Sequence, residues 1–194
     1  MPVLNVAFIG SESLARKIAK KGDVRDIESY VHKEEKNGEM RIISLLRPLK
    51  HPEKIRPLLS VLNVAKIGII EISKVDSALG EICVSFGCAN IKQGLVIINA
   101  EDGEWVNPDQ VRIILEQSGL ENWELLEQLP DEHSIREKLY SFMDSIEHGE
   151  SSLILPVDQF FNVKGVGLVA IGYVNPAPYQ NMIPSKYFLQ MKMG

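Results

Sequence analysis

Leu155-Pro156-Val157-Asp158-Gln159-Phe160-Phe161-Asn162-Val163-Lys164-Gly165-Val166-Gly167-Leu168-Val169-Ala170-Ile171-Gly172-Tyr173-Val174 carries the most specific residue spacing in the chain. Two apolar runs flank Lys164-Gly165-Val166-Gly167. The glycines turn a hairpin, and Gly172 permits a bend where another backbone comes close. The spacing predicts strands over residues 153–163 and 167–174, and a third follows at 183–193. Pro176, Pro178 and Pro184 stand between them. This end of the chain is therefore all β.

Just upstream, His148-Gly149-Glu150-Ser151-Ser152 is a polar hinge. It divides an α/β domain, residues 1–148, from the β module, residues 151–194. Before the hinge the pattern alternates. Val3 to Ile9 is an apolar run ending at Gly10, the signature of a buried parallel strand. Residues 11–21 carry Leu14, Ile18, Ala15 and Ala19 at helical spacing, with Gly22 as the stop. Asn37-Gly38 marks a hairpin between 29–35 and 40–46, because both residues accept the positive φ of a type I′ turn. Pro52 opens a helix reaching Leu62. Strands at 67–72, 94–98 and 123–129 then alternate with helices at 77–89, 108–118 and 131–147. That rhythm predicts a mostly parallel sheet with helices on both faces.

The composition fits this reading. The 194 residues are 45% hydrophobic and 24% charged, which excludes whole-chain disorder, a collagen-like fibre and a disulfide scaffold. The net charge of −5 argues against a bulk electrostatic grip on nucleic acid. Cys83 and Cys88 fit neither a zinc pattern nor a CxxC pair and read as reduced core thiols. No apolar run is long enough to span a membrane and no signal peptide is visible, so a cytoplasmic location is expected.

Two loops could carry chemistry. The turn Gly10-Ser11-Glu12-Ser13-Leu14-Ala15-Arg16-Lys17 holds the register of a phosphate loop, G-x-x-x-x-G-K-[ST]. Ala15 replaces the second glycine, Arg16 the lysine and Lys17 the Mg²⁺-binding hydroxyl. An ordinary βα turn explains this loop equally well. Asn99-Ala100-Glu101-Asp102 follows the strand at 94–98. It keeps the Asn and Asp of a guanine-reading N-K-x-D element, and a polar loop closing a buried strand is the alternative. His32, His51, His133 and His148 are scattered and read as surface residues. Trp123 reads as core.

With the hinge and these loops in view, Pro156, Val157, Asp158, Phe161, Val163, Gly165, Gly167, Val169, Gly172 and Val174 match the opening of the second domain of translation GTPases at unbroken spacing. The chain as a whole resembles factors of the elongation factor Tu kind, nearest to the selenocysteine-specific elongation factors. The resemblance implies a P-loop GTPase-like α/β domain followed by a partial β-barrel. It implies GTP or GDP as ligand, with Gly10, Ser11, Ser13, Ala15, Arg16, Lys17, Asn99 and Asp102 as nucleotide-binding residues. The departures count equally. Where the γ-phosphate-sensing D-x-x-G element belongs, the chain reads Arg47-Pro48-Leu49-Lys50. No catalytic residue and no Mg²⁺ site is expected.

The expectation is a pseudo-GTPase in translation, with weak guanine-nucleotide binding and no efficient hydrolysis. Its partners would be tRNA, the ribosome or another translation component, and no membrane. A nucleotide-independent scaffold on the same fold is the alternative; an active hydrolase with unconventional residues is a third. The 44 residues after Glu150 are too few for a closed barrel of that kind. Their apolar content predicts a homodimer through 151–194, with docking on the first domain as the other outcome.

Overall fold

A computed structural model describes residues 1–49, 51–100, 105–146, 157–172 and 188–190. The chain divides into two units, Met1–Ser145 and Ile146–Gly194. In the first, β1 (Val3–Ile9) leads into α1 (Glu12–Ile18), then β2 (Lys20–Val24), β3 (Ile27–Lys36), β4 (Glu39–Pro48) and α2 (Ile55–Leu62). The alternation continues through β5 (Ile67–Ile72), α3 (Ser77–Cys88), β6 (Gly94–Ile98), α4 (Pro108–Gln117), β7 (Glu124–Leu126) and α5 (Glu132–Ser145). The seven strands form one sheet in the order β2-β3-β4-β1-β5-β6-β7. Pairs from β4 rightward are parallel, while β2–β3 and β3–β4 are antiparallel. This is the expected mostly parallel α/β sheet.

Alternation along the strands decides which helices cover which face. Ala7, Ile70, Ile72, Val96 and Ile98 share one apolar cluster with Leu58 and Val61 of α2, Leu79, Ile82 and Phe86 of α3, and Val111 and Leu115 of α4. The alternate residues Val6, Phe8, Ile69, Leu95 and Ile97 are buried as well. They therefore lie on the opposite face, where α1 packs with α5. Helix starts follow their caps: Asp76 accepts from the Leu79 N–H at 3.1 Å, and Asn107 from the Asp109 N–H at 3.0 Å. Asn37 and Gly38 turn the β3–β4 hairpin with φ of 55° and 77°.

Three local expectations change. The first helix stops at Ile18 and not at residue 21, because Ala19 is extended and Lys20–Val24 joins the sheet beside β3. The helix expected from Pro52 begins at Ile55, which leaves Pro57 in the first turn, where a missing N–H costs no hydrogen bond. Cys83 is buried, its thiol pushed up to about 11 by desolvation, but Cys88 is exposed and not a core thiol.

The second unit contains β8 (Val157–Val163), β9 (Gly167–Gly172) and β10 (Phe188–Gln190), an antiparallel sheet in the order β10-β9-β8. Gly165 and Gly167 take φ of 84° and 97° at the β8–β9 turn. Among the described residues there is a three-stranded sheet and no closed barrel.

Candidate functional site

The central strand β1 has β4 on one side and β5 on the other. The chain changes direction across the sheet here, and in such sheets the crevice beyond the strand C-termini is the usual ligand site. Four strand ends deliver side chains or backbone to it: Gly10 after β1, Arg47 near the end of β4, Glu71 near the end of β5 and Asn99 after β6.

Glu71 holds the centre. Its Oε2 accepts the Ser11 backbone N–H at 2.5 Å, and its Oε1 accepts the Asn99 amide Nδ2 at 2.6 Å. A Cβ on Gly10 would stand 2.7 Å from Glu71 Oε2 and 2.8 Å from its Cβ, so the close approach requires glycine. The Ser11 hydroxyl caps α1 by accepting the Leu14 N–H at 3.1 Å.

A chain of ion pairs runs from the same turn. Arg47 Nε donates to the Gly10 carbonyl at 2.7 Å, and its Nη1 donates to Glu28 Oε2 at 2.8 Å. Arg47 and Glu28 are register partners across β3 and β4. The Tyr30 hydroxyl donates to the same Glu28 oxygen at 2.9 Å, and Lys21 Nζ donates to Glu28 Oε1 at 2.7 Å. Lys21 also reaches Glu12, which in turn holds Arg16. Glu28 is 5% exposed. Burial pushes its carboxyl upward, but the hydrogen bonds from Lys21, Tyr30 and Arg47 outweigh it and leave the group at about 2. The Lys21 ammonium is raised, first by its hydrogen bond to Glu12 and then by that to Glu28.

The structure brings Gly10, Ser11 and Asn99 together through Glu71. Ser13 and Lys17 lie exposed on α1, and Ala15 is buried at the expected second-glycine position. Arg16 turns to Glu12, 2.6 Å away. Asp102 lies outside the described residues. Glu71, Glu28 and Lys21 were not among the residues expected from sequence. Glu71 does leave a signal: it is the one charged residue in the run Ile67-Gly68-Ile69-Ile70-Glu71-Ile72.

These residues do not fit a nucleotide phosphate on the Gly10–Ser11 turn as it stands. The Ser11 N–H is already taken by a carboxylate, and a second anion there meets like charge. The three cations Arg16, Lys21 and Arg47 are matched by Glu12, Glu28 and Glu71 in contact with them or with the turn. Among the described residues, no group of three His, Cys, Asp or Glu side chains could hold a metal ion, and no helix is long and apolar enough to cross a membrane.

No protein-family model matches the chain. An uncharacterized protein of Methanocaldococcus jannaschii is 28% identical over 176 residues, covering 90% of this chain and 53% of that protein. The chain thus spans about half the length of the curated relative it matches. Among solved structures, a bacterial selenocysteine-specific elongation factor, EF-Sec, superposes with a TM-score of 0.64 at 16% identity, covering 90% of this chain and 34% of that one. The translation elongation factor SelB of Methanococcus maripaludis, in complex with the GTP analogue GPPNHP, gives 0.55 at 18% identity and covers 90% of this chain and 42% of its own. At these identities the likeness is one of fold, shared with between a third and a half of each of those two elongation factors.

Proposed function

We propose that the protein is a translation-factor-like pseudo-GTPase, which works by binding and does not turn over GTP. The observation that carries the reading is Arg47. It stands where the resemblance calls for a metal-linked aspartate, and its guanidinium is spent on the Gly10 carbonyl and Glu28. A cation held there opposes Mg²⁺ and removes the electrostatics that phosphoryl transfer depends on. The partner in this reading is a translation component, tRNA or the ribosome, met in the cytoplasm. A second reading, a scaffold that holds no nucleotide, is favoured by the Glu71 carboxylate on the Ser11 N–H.

Single-turnover assays with GTP and Mg²⁺ test the first statement, and no phosphate release above background is expected. Release stimulated by Mg²⁺ and lost in Asp102→Ala would overturn it. A homodimer through residues 151–194 belongs to the same proposal. Phe160 on β8 is 59% exposed, an apolar side chain available to a second copy. Light scattering at tens of micromolar should report a dimer, and a monomer removes this part of the reading.

A further inference from the structure

At the end of a parallel strand that leads into a helix, free backbone N–H groups attract an anion, and in an open α/β sheet that position lies in the ligand crevice. In this protein the anion there is the protein's own. We propose that Glu71 is an internal ligand: its carboxylate fills the anion position of the Gly10–Ser11 turn and ties the turn to Asn99, closing the crevice to phosphate-bearing molecules.

Four contacts converge on this arrangement. One carboxylate oxygen takes the Ser11 N–H at 2.5 Å and the other takes the Asn99 amide at 2.6 Å, so both are engaged on separate loops. Gly10 is flush against the Glu71 side chain, with no room for a Cβ between them. On the far side of the turn, Arg47 Nε holds the Gly10 carbonyl at 2.7 Å. The turn is thus fastened by an acceptor on its N–H and a donor on its carbonyl, both supplied by neighbouring strands. Charge-assisted hydrogen bonds of this kind are short and roughly twice as strong as neutral ones. A nucleotide phosphate would have to expel Glu71, leaving a carboxylate beside the incoming anion and Asn99 without its acceptor. Glu71 is a positioning residue in this account, and it holds the loops in one arrangement without a bound molecule. The inference rests on the absence of turnover in the pseudo-GTPase reading and goes beyond it towards the second reading, since a pseudo-GTPase alone could still bind nucleotide.

The test uses the full chain and the Ser11 amide as reporter, by nuclear magnetic resonance and hydrogen exchange. In Glu71→Ala the Ser11 N–H should exchange at least about tenfold faster than in the wild type, the factor expected for losing a hydrogen bond to a charged group. Glu71→Gln keeps a carbonyl acceptor for Ser11 and, with the Asn99 amide turned over, a partner for Asn99. Its Ser11 exchange should stay within about threefold of the wild type. Millimolar GDP or inorganic pyrophosphate, with Mg²⁺, should leave the wild-type Ser11 resonance in place. Formate added to Glu71→Ala should return it towards the wild-type position. Equal Ser11 exchange in wild type and Glu71→Ala overturns the proposal, and so does a wild-type Ser11 resonance moved by GDP or pyrophosphate. Should Glu71→Ala not fold, the wild-type titration and Glu71→Gln still decide. Phosphate release with Ser11 unmoved would count against the pseudo-GTPase reading alone. A moved Ser11 without release counts against the internal ligand alone.

Discussion

Glu28 shows how one buried charge can organise a site. A carboxylate at 5% exposure is costly unless paired, and here Lys21, Tyr30 and Arg47 all donate to it. Its folded value near 2 lies below the ordinary range, so the linked stability is present in full above about pH 4.5 and is lost as pH falls towards 2. The difference is worth on the order of 3 kcal/mol. Denaturation of wild type and Glu28→Gln across this window should therefore show a stability gap at pH 7 that closes as the pH approaches 2. A gap independent of pH would mean that Glu28 contributes by packing alone. Arg47→Met should cost about 3–5 kcal/mol at neutral pH, because it leaves a buried carboxylate short of a partner. At Gly10 the contact with Glu71 sets the tolerance. Gly10→Ala should cost about 1–3 kcal/mol, and less in a Glu71→Gly background, which removes both the Cβ and the carboxylate it meets, as a double-mutant cycle would show.

Among the elements, β5 and β6 show why glycine can sit inside a buried parallel strand. Gly68 and Gly94 are register partners, and the Trp123 ring lies over both. A Cβ at either position would collide with that ring, and at Gly68 also with Phe86. Trp123 is 5% exposed, its Nε1 donates to the Ile91 carbonyl at 3.0 Å, and it meets Phe86 edge-on at 5.0 Å. Trp123→Ala should lose about 3–5 kcal/mol in chemical denaturation, through the cavity it leaves. Gly68→Ala should destabilise the wild type by about 1–3 kcal/mol and cost less once Trp123 is replaced by Leu, with the Phe86 contact remaining. Equal costs in both backgrounds would show that the ring is not what excludes a side chain at Gly68. The short α1 is read differently. Seven residues are too few to be stable by propensity, so its place depends on Leu14, Ala15 and Ile18 being buried.

For the molecule as a whole, the first unit has a self-sufficient interior. Both faces of its sheet are covered by its own helices, and its apolar cluster draws on α2, α3, α4 and the three parallel strands β1, β5 and β6. Residues 1–145 produced alone should unfold in one cooperative transition, seen identically by far- and near-ultraviolet circular dichroism. Retained helix signal without near-ultraviolet signal would instead mean that the rest of the chain is needed for fixed packing.

The sequence by itself determined what depends on local periodicity. The run Val3–Ile9, the Asn37-Gly38 turn, the alternation from Ile67 onward and the Gly165/Gly167 hairpin all lie where their patterns put them, because apolar spacing and φ preference act within a few residues. Lys20–Val24 shows where this stops. Lys20-Lys21-Gly22-Asp23 has no alternation, and it becomes a strand because β3 offers an edge and Glu28 offers Lys21 a buried partner. The Gly10 turn and Asn99 were legible as candidates from their places after apolar strands, and Glu71 was not. One carboxylate in a buried strand states only that a partner must exist. Which groups supply it is decided by strand order, which sets β5 between β1 and β6 and so brings Ser11 and Asn99, 88 residues apart in sequence, to the two oxygens of one side chain.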